Sequence, residues 1–134
     1  MFNDSLLNIL QASWKKWDNP SVSVKAVNPN EYIVFTDQTN DLNEGIYFYL
    51  KTNSDGTYSL SDRVLTVNSV NREIGDFNAI KHEAARIAAQ YGILLNNQGE
   101  FVNEEVGQLN LSSAMYNFER MLYDVMDYAA RNVR

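Results

Sequence analysis

The sequence predicts an α+β domain: an antiparallel β-meander packed with an N-terminal helix, a middle helix and a long C-terminal helix. Three observations predict it. Apolar residues recur at helical spacing in three separate stretches. Between the first two stretches lie short segments that alternate apolar and polar residues around turn-forming pairs. The order helix, strands, helix, short hairpin, helix lacks the regular alternation of a parallel doubly wound sheet. The 134 residues suit one domain, spanning 1–134, with one core.

Each element has its own warrant. Asn3 or Asp4 can cap a first helix, whose Leu6, Leu7, Ile9, Leu10, Trp14 and Trp17 share a face until Asn19-Pro20 ends it. Val22, Val24 and Ala26 alternate with polar residues, Asn28-Pro29-Asn30 turns the chain, and Tyr32 to Thr36 reads as the partner strand. Ile46 to Lys51 and Thr57 to Ser61 flank Asp55-Gly56, a pair suited to left-handed turn positions; with those two as the loop, Tyr49 pairs with Asp62. Arg63 to Gly75 reads as a packed loop with room for a short strand, because Val64, Leu65, Val67 and Val70 are apolar.

Asp76 can cap the middle helix, with Phe77, Ile80, Ala84, Ile87, Ala88 and Tyr91 on one face and Gly92 as its terminator. Ile93 to Leu95 and Phe101-Val102 form a small hairpin around Asn96-Asn97-Gln98-Gly99. Ser112 or Ser113 opens the last helix, which buries Met115, Phe118, Leu122, Val125, Met126 and Ala129.

Composition narrows the chemistry. The chain has no cysteine, so disulfides, thiol nucleophiles and cysteine metal ligands are excluded. The net charge of −6 is concentrated in residues 31–76, an acidic balance that argues against direct nucleic-acid binding and favours a basic partner. Residues 1–10 lack a basic leader and no apolar run is long enough for a span, so the expectation is no membrane and a bacterial cytoplasmic setting.

Catalytic patterns are sparse. His82 is the only histidine, and His82-Glu83-Ala84-Ala85-Arg86 has Arg where a zinc-protease helix needs its second ligand. No glycine-rich phosphate loop or serine-nucleophile motif is present, and no cofactor is implied. A different constellation is Asp37, Asp41, Glu44 and Asp62, which a meander brings to one sheet edge. Such carboxylates could hold Mg²⁺ or Ca²⁺ for phosphodiester hydrolysis, or form a solvated acidic rim. A restriction-type core needs Glu-x-Lys after Asp41, and Tyr49-Leu50-Lys51 puts Tyr49 in the carboxylate position. Alternation places Tyr47 and Tyr49 on the strand face opposite Ile46 and Phe48; burial under the terminal helix would cover one such face, whereas exposed tyrosines would mark an interface.

Glu31-Tyr32-Ile33 with Thr36, Asn40-Asp41, Tyr49-Leu50-Lys51, Gly56 to Asp62 and Tyr91-Gly92-Ile93 together resemble the domain of unknown function 1828 over most of the chain. The resemblance implies a setting in Firmicutes bacteria, their phages and mobile elements, and transfers no catalytic residue. In that family Leu-Ser/Thr-Asp continues into Asp-Gly, whereas Asp62 is followed by Arg63-Val64, which weakens a carboxylate site.

These readings lead to a functional expectation: a small acidic, non-enzymatic binding protein that inhibits a host nucleic-acid-targeting defence protein in the manner of an anti-CRISPR. Its contact residues would be Asp37, Asp41, Glu44, Asp62, Tyr47 and Tyr49, competing with phosphates for a basic host surface. The alternatives are a metal-dependent nuclease-like hydrolase using the same carboxylates, and a structural subunit that dimerises through its last helix.

Overall fold

The computed structural model describes residues 23–39 and 44–132. The proposed N-terminal helix and Asp41 lie outside the described residues. Six antiparallel strands form one sheet in the order β1-β2-β3-β4-β6-β5. They are β1 (Ser23–Asn28), β2 (Glu31–Thr39), β3 (Gly45–Thr52), β4 (Tyr58–Ser61), β5 (Leu94–Leu95) and β6 (Phe101–Val106). The helices are α1 (Leu65–Glu73), α2 (Lys81–Gln90) and α3 (Leu111–Asn132). The fold is therefore α+β, with β1 to β4 forming the meander and β6 extending it.

Period-two burial along β3 sorts the two faces of the sheet. Ile46, Phe48 and Leu50 are buried while Tyr47 and Tyr49 are only half-buried. Tyr32, Val34, Leu60 and Phe101 join the inner face, against which α3 packs Met115, Phe118, Leu122, Val125, Met126 and Ala129. The Phe48 and Phe118 rings lie 5.0 Å apart at its centre. The apolar stripe of α3 thus packs within the chain's own core.

The middle helix forms along its apolar stripe, but it begins at Lys81 with Ile80 at its N-cap and no side-chain cap; Asp76 caps the turn before it. Asp76 accepts from the Asn78 N–H at 3.0 Å and starts a short 3₁₀ turn that runs on into α2. Gly92 closes the segment at φ +73°, in the left-handed region that favours glycine.

The structure corrects two further local expectations. Residues 65–73, within the stretch read as a loop or short strand, form α1. Its β-branched Thr66, Val67 and Val70 are poor helix formers, and the cap residue Val64 offers no side-chain acceptor; the carboxylate that accepts from the Thr66 N–H belongs to Asp62, two residues before the cap. The β3–β4 hairpin is also one register from the expected pairing: Tyr49 faces Ser61, not Asp62. The reason is a wider loop, in which the Asn53 N–H donates to the Thr57 carbonyl at 2.8 Å and the Gly56 N–H donates to the Asn53 carbonyl at 3.2 Å. Asp55 and Gly56 are therefore two of three loop residues, with Gly56 alone of the pair at positive φ, +87°.

Candidate functional site

The outer face of the sheet holds a polar groove of about 560 Å³, within the range of small-ligand sites. Its floor is β4. Because Leu60 points into the core, Ser59 and Ser61 point outward, and both are small enough to leave a trough between taller neighbours on β3 and β6. On the β3 side stand Tyr49 and Lys51. On the β6 side stand Glu100, Val102, Glu104 and Glu105.

A β-bulge builds the acidic wall. Leu60 pairs with Asn103 and Tyr58 with Val106, so Ser59 alone faces both Glu104 and Glu105. Regular pleating would send these neighbours to opposite faces; the bulge leaves both exposed and lining the groove. Glu105 adopts φ +59° to make it.

The other wall is organised by Arg63. Its guanidinium sits over the Tyr49 ring, 4.2 Å from the centroid, and pairs with Glu31. Its backbone N–H donates to Ser61 Oγ at 2.9 Å, and the Ser61 hydroxyl donates to Glu100. Arg63 and Val64 have φ of +50° and +67°, left-handed values that are rare for any non-glycine residue and rarer for β-branched valine. Among the described residues, the three non-glycine residues with positive φ are Arg63, Val64 and Glu105; two line the groove and the third adjoins it. Strain held in this way collects at functional sites. Among the described residues, the charged ends of Lys51, Glu104 and Glu105 have no hydrogen-bond or ion-pair partner.

Asp62 holds the strained corner in place. It is 1% exposed. Oδ1 accepts from Val64 N–H at 3.1 Å and Phe101 N–H at 2.9 Å, while Oδ2 accepts from Thr66 N–H at 3.1 Å. Burial pushes its carboxyl pKa up, against the opposing effect of hydrogen bonds from Phe101, Thr66 and Val64. Asp62 is accordingly a buried junction between β4, α1 and β6, and not a member of an exposed acidic rim.

Glu44 pairs with Arg72 at 3.0 Å beside a second cavity of about 270 Å³, which Tyr47 also lines. Asp37 is a residue of β2. Tyr47 and Tyr49 do share the outer face, with ring centroids 6.2 Å apart, but only Tyr49 reaches the groove. Among the described residues, no three His, Asp or Glu side chains are gathered where they could hold a metal ion.

Sequence reasoning missed Glu31, Lys51, Ser59, Arg63, Glu100, Glu104 and Glu105. One signal was present: Glu104-Glu105 breaks the alternation of its strand, as a bulge does. No family model matches this chain, and neither the curated proteins nor the solved structures contain a match.

Proposed function

We propose that this chain is a non-catalytic binding protein that holds a cationic segment of a partner in the groove along β4. The observation that carries the reading is the gathering of three left-handed non-glycine residues at one polar groove, where they aim Arg63 and Glu105 at its two walls. Glu104 and Glu105, without an ion-pair partner among the described residues, supply the attraction, within a chain of net charge −6. A basic segment of a host nucleic-acid-targeting defence protein has the required chemistry, and the resemblance to a phage and mobile-element family supports such a setting. The hydrolase reading is less well supported, because the oxygens of Asp62 are already engaged by three backbone N–H groups.

The test is fluorescence anisotropy of a labelled Arg-Gly repeat dodecapeptide with the full chain at low and high salt. Binding is expected to weaken with salt and to fall at least tenfold in the double variant Glu104→Gln/Glu105→Gln. Glu83→Gln, which alters an acid on α2 away from the groove, should leave it unchanged. Equal losses in both variants would mean diffuse charge attraction and would overturn the reading.

A further inference from the structure

We propose that the groove recognises a basic residue with a free α-carboxylate, either as the free amino acid or as the C-terminal residue of a polypeptide; this rests on reading the groove as a ligand site. The argument begins with one row of the sheet. Lys51 pairs with Ser59, and Ser59 faces the Glu104-Glu105 bulge. Lys51 therefore stands two strand spacings from the glutamates, roughly 10 Å at the backbone.

The small Ser59 between them leaves a gap, and among the described residues neither wall's free charge is neutralised across it. A ligand that fills the gap and satisfies both walls has a cation at one end and an anion at the other.

Arginine and lysine with a free carboxylate have that form, because a flexible apolar stem separates the two charges. A guanidinium or ammonium would meet Glu104 and Glu105 in charge-assisted hydrogen bonds, and the carboxylate would meet Lys51. A basic residue within a chain offers Lys51 only a neutral amide. Arg63 is already engaged by Glu31 and by the Tyr49 face, so it serves as a wall and leaves Lys51 as the cation that reads the carboxylate.

The experiment compares labelled Gly-Ser-Gly-Arg as the free acid and as the C-terminal amide, with unlabelled L-arginine tested by calorimetry, all on the full chain. The acid peptide is expected to bind at least tenfold tighter than the amide. Lys51→Met, which keeps the apolar stem, should abolish that preference while circular dichroism remains that of the parent. L-arginine binding as tightly as the peptide would identify the free amino acid as the source, whereas binding by the peptide alone would identify a chain terminus. Equal binding of acid and amide, both lost in Glu104→Gln/Glu105→Gln, would overturn the carboxylate inference and leave the cationic-groove reading standing. Binding of neither, while the Arg-Gly peptide still binds through Glu104 and Glu105, would overturn the inference alone.

Discussion

Asp62 and Phe101 are tied twice across 39 positions of sequence: the Asp62 N–H donates to the Phe101 carbonyl at 3.2 Å, and the Phe101 N–H donates to the Asp62 carboxylate at 2.9 Å. The second bond is what binds β6 to the corner where α1 begins. Replacing Asp62 with Ala leaves three backbone donors without their acceptor, two of them at buried positions. The expected cost is about 3 to 4 kcal/mol. Urea unfolding would measure it, and a loss below about 1 kcal/mol would show that the corner does not depend on the carboxylate.

The same residue sets a pH dependence. Because burial raises the folded-state pKa of Asp62 above its ordinary 3.8, the folded chain holds this proton more tightly than the unfolded chain does. The part of its stabilisation that is linked to this proton is thus fully present below 3.8 and is lost as the pH rises through the raised folded value. The stability difference between the parent and Asp62→Asn should be most favourable to the parent near the acid end and shrink as pH increases. Melting curves of both proteins across that window test the sign.

Val64 carries a β-branched side chain at φ +67°. Left-handed backbone costs an ordinary residue about 1–2 kcal/mol, and glycine adds an entropic cost of about 0.5–1 kcal/mol. Val64→Gly is therefore expected to stabilise by up to about 1 kcal/mol, seen as a higher urea midpoint. A lower midpoint would mean that the contacts of the valine methyls outweigh the strain.

The Tyr32 hydroxyl is buried and has no hydrogen-bond partner among the described residues. An unpaired buried hydroxyl is destabilising, so Tyr32→Phe should gain about 1 kcal/mol while preserving the ring. A loss in thermal or urea denaturation would reveal a hydrogen bond worth keeping.

Much of the fold was legible because its signals are local. The stripes from Phe77 to Tyr91 and from Met115 to Ala129 each repeat at helical period, and each is buried where the period puts it, apart from the half-buried Tyr91 at one end. The alternation of Ile46 to Leu50 likewise sorted core from surface. Helix α1 was not legible, since its residues favour strands and the carboxylate at its start is Asp62, which also bonds the distant Phe101. Of the groove's lining only Tyr49 was legible as a site residue, and Asp62 was misplaced because the register that buries it is set by long-range pairing.

The sequence by itself determined the class of the protein: helix and strand content, a cysteine-free packed core, and an acidic net charge. These follow from composition and from periods spanning a few residues, which act through local geometry. Only the tertiary structure decided which charges meet. A one-residue change in the β3–β4 register and a one-residue bulge in β6 buried Asp62 and brought Glu104 and Glu105 out beside Ser59, opposite Lys51. Because side chains alternate at every residue along a strand, such single-residue shifts reassign the face, and only long-range pairing sets them.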